Sequence, residues 1–276
     1  MQFKDIIGQQ SVKKRLVSSV HEGRVSHAQL FLGNDGYGSL ALAIAYSQFL
    51  NCTKRSETDE DSCGTCPSCV KYQKLAHPDL HFIFPVYNEG SKEYISDSFL
   101  DDWRKIHLET HSYFSYSSWM DRITTDKKQG IIPERESSSI IKKLNLKTYE
   151  GAFKTMIIWQ AQKMNVTCSN KILKVLEEPP VNTVFILLTE NTEELLQTIL
   201  SRTQLVKIPK IDEASLVSYI ESNLTTNKDD AQYIAKIADG SVIKAHETFQ
   251  TTEMAQLYLE IFIQYMRACY TKKLND

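Results

Sequence analysis

The sequence predicts an α/β protein: a three-layer domain built on a parallel sheet, then a small all-helical unit, then the start of one further helical segment. Two observations carry this. Five short apolar runs recur through the first 208 residues, with helix-like stretches between them. Beyond residue 208 only helical periodicity remains. Continuous apolar runs without alternation mark strands buried on both faces, as in parallel sheets.

The strand runs are 28–32 (AQLFL), 81–84 (HFIF), 156–159 (MIIW), 184–189 (VFILLT) and 205–208 (LVKI). A helix is expected over 40–50, after a glycine-rich turn. Another over 170–178 stops at Pro179 and Pro180, because proline cannot continue a helix. In the tail, helices are expected over 212–223, 229–238 and 241–250. The second of these ends at Asp239 and Gly240, a usual helix stop. A last helix over 253–270 carries Leu257, Leu259, Ile261, Phe262, Ile263 and Met266, apolar on nearly every side. Such a helix is buried among partners. The chain ends before supplying any, so the reading is of a piece of a longer protein. Residues 85–130 hold many aromatics, including Trp103 and Trp119, and few punctuation signals; no role is assigned to them.

Composition narrows the function classes. The chain has 276 residues, 42% hydrophobic, with 32 Lys+Arg against 34 Asp+Glu. That balance excludes a free-standing nucleic-acid binder held by bulk charge. Ten glycines and seven prolines exclude collagen-like and low-complexity classes. No apolar run approaches the ~18 residues of a membrane span, and the start, MQFKDIIGQQ, lacks a signal-peptide core. A cytoplasmic location without membrane contact is expected.

Four of the six cysteines are clustered as Cys52-x10-Cys63-x2-Cys66-x2-Cys69. A C-x2-C pair presents two thiols to one metal from a tight turn, and four thiolates suit tetrahedral Zn²⁺ at about 2.3 Å. A closed Cys₄ shell leaves no open position, so the zinc is structural. Redox-active cysteines are the weaker alternative. His77 is a minor competing ligand, but His77-Pro78-Asp79 reads as a turn. Cys168 and Cys269 read as small buried hydrophobes.

After the first strand comes Gly33-Asn34-Asp35-Gly36-Tyr37-Gly38-Ser39-Leu40. The template G-x-x-x-x-G-K-[ST] between strand and helix cradles phosphates. Gly33 and Gly38 match it. Ser39 stands where the lysine belongs, and Leu40 where the Mg²⁺-binding hydroxyl belongs. At the end of the third strand, Trp159 and Gln160 replace the acidic pair that would hold Mg²⁺ and activate water. Two independent losses point one way: no functional nucleotide site, no ATP bound in it, and no hydrolysis.

Residues 170–180 (NKILKVLEEPP), then Asn182-Thr183-Val184-Phe185 and Thr198-Ile199-Leu200-Ser201-Arg202, resemble the clamp-loader branch of the AAA+ ATPases. The degenerate phosphate loop and the cysteine insertion fall in the same order, and the resemblance covers about residues 1–250. It implies an AAA+ core over 1–208 with a zinc module at 51–78, a helical lid over 209–250, and the start of a collar domain at 251–276. Clamp loaders are rings that use ATP to open a sliding clamp and place it on primed DNA during replication. The implied partners are gamma/tau-type ATPase subunits, a delta subunit, and, through the assembly, the sliding clamp and primer–template DNA.

The degenerate site points to a ring member that does not hydrolyse ATP. By itself it is no enzyme, though it belongs to a polymerase holoenzyme. In such members a Ser-Arg-Cys arginine projects into the neighbour's ATP site. Here the motif reads Ser201-Arg202-Thr203, which makes Arg202, with Ser201, the candidate arginine finger in trans; a surface arginine in a salt bridge is the alternative. Thr189 matches a polar sensor position. Gly240-Ser241-x-x-Lys244-Ala245 resembles a second sensor with lysine for arginine. The start IIGQQSVKKRL, with Gly8 and Gln9, fits the family's opening segment.

Two other functions are compatible with parts of the sequence. An active gamma/tau-like motor is opposed by Ser39, Leu40, Trp159 and Gln160. A zinc-dependent nucleic-acid module would present Lys54, Arg55 and Lys71, but Glu57, Asp59, Glu60 and Asp61 cancel their charge. Lys142, Lys143 and Lys147 read as a solvated helix face, with DNA contact inside the ring as the alternative.

Overall fold

The structure is a computed structural model that describes residues 1–89, 92–126, 128–224 and 227–270. Helix α1 spans Gln10–His21. It is followed by β1 (Ala28–Leu32), α2 (Ser39–Leu50), α3 (Pro67–Gln73) and β2 (Leu80–Ile83). A short ribbon, β3 (Asn88–Glu89) with β4 (Lys92–Glu93), precedes α4 (Leu100–Thr110), α5 (Tyr116–Ile123) and α6 (Glu134–Asn145). Then come β5 (Lys154–Ile158), α7 (Val166–Glu177), β6 (Thr183–Thr189), α8 (Gln197–Leu200) and β7 (Gln204–Lys207). Helices α9 (Glu213–Asn223), α10 (Lys228–Ala238) and α11 (Val242–Tyr270) follow.

The main sheet has the order β2-β5-β6-β1-β7. All four pairings are parallel, with Leu32 opposite Thr189 and Gln29 opposite Gln204. Every residue of β5 and β6 is buried. Edge strand β7 buries only Val206. Alternate side chains feed two cores. Phe31, Ile157 and Ile186 pack with α2 on one face. Leu30, Ile158 and Leu187 pack with α6 and α7 on the other. This is the three-layer arrangement the apolar runs predict.

Strand boundaries shift for a physical reason. β5 starts at Lys154, not at residue 156, because Lys154 and Thr155 pair with Thr183 and Val184 despite being polar. Trp159 lies just past the strand, though its N–H still donates to the Ile83 carbonyl at 2.8 Å. Helix α7 starts four residues before the predicted 170, where the Asn165 side chain accepts from the Cys168 N–H at 2.7 Å as an N-cap.

The described aromatics of the 85–130 stretch form a wedge with Phe84 and Trp159. The fully buried Trp103 on α4 stacks on Phe84 with ring centroids 4.1 Å apart and meets Trp119 and Trp159 edge-on or tilted. The Trp119 indole N–H donates to the Pro85 carbonyl at 2.8 Å. These contacts tie α4 and α5 to the β2 end of the sheet and aim the α4–α5 connection at the phosphate loop.

The tail has its own apolar cluster, including Leu216, Ile220, Ile234, Ala238 and Val242. One expectation is corrected: the helices read at 241–250 and 253–270 are one helix, α11, of 29 residues. No glycine or proline falls between them to break it. Its far half exposes Met254, Tyr258, Leu259, Ile261, Phe262 and Met266. No helix among the described residues is long and apolar enough to cross a membrane.

Candidate functional site: a closed phosphate loop and an outlying arginine

The phosphate loop lies between β1 and α2, as its sequence implies, and the Gly33 N–H donates to the Thr189 carbonyl at 3.1 Å. Gly36 adopts φ +86°, and a Cβ there would sit 2.1 Å from the Ser241 Oγ. The loop needs glycine because the start of α11 lies directly on it: the Val242 N–H donates to the Gly36 carbonyl at 3.1 Å, and Ser241 Oγ donates to the Asp35 carbonyl at 3.2 Å. Gln9 completes the wrap, its amide donating to the carbonyls of Tyr37 and Pro209.

Ser39 opens α2 half-buried, and Leu40 turns into the core. Trp159 is buried in the aromatic wedge. Gln160, in a left-handed conformation at φ +54°, faces the loop. Its amide nitrogen lies 2.7 Å from Glu190 Oε1 and 3.4 Å from Asp35 Oδ1. Asp35 Oδ2 also accepts from the Tyr116 N–H at 3.1 Å. Burial, then the nearby Glu190 charge, pushes the Asp35 carboxyl up to about 7. The space among Gly33, Ser39, Gln160 and Thr189 is too tight to admit a water molecule.

Sequence reasoning missed three residues here. Asp35 sits in a variable position of the loop template, and Glu190 follows a strand it was not read with. Tyr113, from the aromatic wedge, lies against Gly38: a Cβ on Gly38, whose φ is +90°, would meet its hydroxyl at 3.0 Å. The same hydroxyl accepts from the Ile7 N–H at 3.2 Å. Only the aromatic richness of 85–130 signalled it.

Thr189 ends β6 beside the loop, its hydroxyl bonded to Gln162 Oε1 and the Asn191 carbonyl, both at 2.9 Å. Lys244 lies in the first turn of α11. Arg202 and Ser201 stand apart. They precede β7, while the loop follows β1, and the two strands run parallel. Six residues of rise separate the two levels, roughly 20 Å. Arg202 therefore lies at the opposite end of the sheet from its own chain's phosphate loop. Its Nε and Nη2 lie 3.2 and 3.1 Å from Glu177 Oε2, and its Nη1 donates to the Thr198 carbonyl at 3.1 Å.

The cysteine cluster forms as expected. The Sγ atoms of Cys52, Cys63, Cys66 and Cys69 all lie within 4.8 Å of one another. Tetrahedral Zn²⁺ with bonds of about 2.3 Å needs sulfurs roughly 3.8 Å apart, and Cys63 and Cys69 are at 4.0 Å. The N–H groups of Cys63, Cys66 and Cys69 point at the sulfurs of Cys52, Cys63 and Cys66 at 3.3–3.4 Å, contacts that favour the thiolate at Cys63 and Cys66, while burial pushes the Cys52 and Cys69 thiols up. The cluster thus has the donors and spacing to hold zinc. His77 is not among them: it is buried against Tyr72 and Glu150. Cys168 is buried in the core, as read. Lys143 pairs with Asp97 at 2.6 Å.

The family profile described as "DNA polymerase III, delta subunit" matches residues 8–212. The chain belongs to this family. Among curated DNA polymerase III relatives, the delta' subunit of Bacillus subtilis (strain 168) is 27% identical over 240 residues. That alignment covers 83% of this chain and 59% of the relative, so the chain spans about three-fifths of that protein. A DNA polymerase III subunit tau/gamma from Haemophilus influenzae is 25% identical over 245 residues, 87% of this chain and 29% of the relative. Among solved structures, the Thermotoga maritima RuvB Holliday junction branch migration motor shares the fold at TM-score 0.50 and 13% identity. It covers 92% of this chain and 64% of that one. The family is thereby fixed by the profile match, and the fold is shared with RuvB.

Proposed function

We propose that the chain is a non-hydrolysing delta prime-type subunit of a bacterial clamp loader. It sits beside a gamma/tau-type ATPase and supplies Arg202 to that neighbour's nucleotide site. The observation that carries this reading is the content of its own phosphate cradle. Where a triphosphate needs a lysine and a metal, this chain puts two carboxyl groups, Asp35 and Glu190, joined by Gln160. The Glu190 charge, joined by that of Asp35 once pH rises past about 7, would repel the β- and γ-phosphates, and the Tyr113 hydroxyl lies against the loop.

The placement of Arg202 supports the second half. A guanidinium about 20 Å along the sheet from its own loop cannot serve that loop and is free to serve a neighbour's. Delivered to a neighbour's γ-phosphate, it would stabilise charge developing there during transfer and make hydrolysis depend on assembly. A delta subunit, the sliding clamp and primer–template DNA complete the proposed assembly, at the bacterial nucleoid in the cytoplasm. The exposed apolar side chains of α11 suit a collar contact. The Cys₄ cluster would hold one structural zinc that orders the polar segment between Cys52 and Cys63.

Nucleotide titration of the chain alone tests the idle site. The expected result is no saturable ATP binding and no turnover. Micromolar binding with hydrolysis would restore the gamma/tau-like motor.

A further inference from the structure

The contacts of Arg202 have a consequence for how it acts. A guanidinium offers five N–H groups. One on Nε and one on Nη2 go to Glu177 Oε2, at 3.2 and 3.1 Å. Nη1 serves the Thr198 carbonyl at 3.1 Å and Ser201 Oγ at 3.4 Å. A single N–H of Nη2 is left. Bidentate capture of a phosphate takes two parallel N–H groups, so Arg202 cannot grip a γ-phosphate fully while it keeps all these partners.

Glu177 is the partner placed to let go. It is the last residue of α7, where a carboxylate opposes the helix dipole, and its side chain is 59% exposed against 31% for Arg202. An exposed ion pair of this kind is weak and salt-sensitive. A triphosphate carries more charge than one carboxylate and outcompetes it.

We propose that Glu177 is a positioning residue: it parks Arg202 on its own chain, and a neighbouring subunit's γ-phosphate takes its place. The proposal rests on the reading of Arg202 as acting in trans. Parking lowers the fraction of molecules whose arginine is free, and so weakens apparent engagement by that fraction.

The test uses the full-length protein titrated into a complex of gamma/tau-type ATPase, delta, clamp and primed DNA, with ATP turnover as the readout. Glu177→Ala and Glu177→Gln should reach half-maximal stimulation at a concentration ~1.4- to 5-fold lower than wild type. Saturating turnover should be unchanged, and the gain should shrink at high salt. Glu177→Ala should change nothing when added to Arg202→Ala. If Arg202→Ala leaves stimulation intact, the trans reading itself falls. If Arg202→Ala abolishes stimulation, but both Glu177 variants leave the midpoint unchanged, raise it, or cut saturating turnover, parking is overturned and the trans reading stands.

Discussion

The Gln160 amide donates to the Glu190 carboxylate at 2.7 Å, directly beside the loop where phosphate would bind. In an active site the residue at Gln160 would hold metal and water. Here it neutralises nothing and anchors an acid in the cradle. On the proposed reading, the cradle is taken up by this chain's own side chains and not merely short of a lysine.

Restoring the lysine alone should therefore fail. Ser39→Lys places an ammonium between Asp35 and Glu190, which would take it as their own counter-ion. Titration with a fluorescent ATP analogue should show no saturable binding up to on the order of 1 mM, a weak regime for any nucleotide site. Saturable binding by this single variant would contradict the account.

Asp35 gives a pH signature. Its carboxyl is pushed up to about 7, by burial first and Glu190 second. In the unfolded chain it titrates near the ordinary 3.8. A raised acid favours the fold when protonated, so its contribution is fullest below 3.8 and is lost as pH rises to about 7. Asp35→Asn removes that loss. Its stability advantage over wild type should grow between pH 5 and pH 7 by about 2 kcal/mol, roughly 4–8 °C in melting temperature, and then level off. An advantage that is flat or shrinks over this window would refute the assignment.

Zinc removal should unfold the module and leave the sheet. The segment between Cys52 and Cys63 is polar and buries little, so the metal supplies its order. Purified protein should release one zinc per chain to a thiol-reactive reagent and a colorimetric chelator. Cys66→Ser should abolish that release, while Cys168→Ser, buried in the core, should not. Protein that carries no zinc and melts identically with chelator would count against the site.

Much of this was legible in the sequence, and the exceptions have physical causes. The strands of the parallel sheet read directly because double burial leaves continuous apolar runs. The cysteine spacing read directly because metal geometry dictates it. Lys154 was missed as a strand residue because its ammonium caps the end of α6, donating to the carbonyls of Lys143, Leu144 and Leu146; a charged strand start has no apolar signature. The single α11 was read as two helices because its apolar side chains cover all faces, which blurs the period. Tyr113 and Glu190 reach the cradle only through tertiary packing, from the aromatic wedge and the end of β6, and no local pattern announces that.

In the proposed function this chain acts on another subunit's nucleotide through Arg202. The most direct measurement compares ATP turnover by the complex of gamma/tau-type ATPase, delta, clamp and primed DNA, with wild type or Arg202→Ala added at full length. The account predicts a loss of about 10³-fold or more in the stimulated step, the scale of an arginine finger, with assembly intact by size-exclusion chromatography. Unchanged turnover in an intact complex would contradict it and leave the chain a purely structural member of the ring.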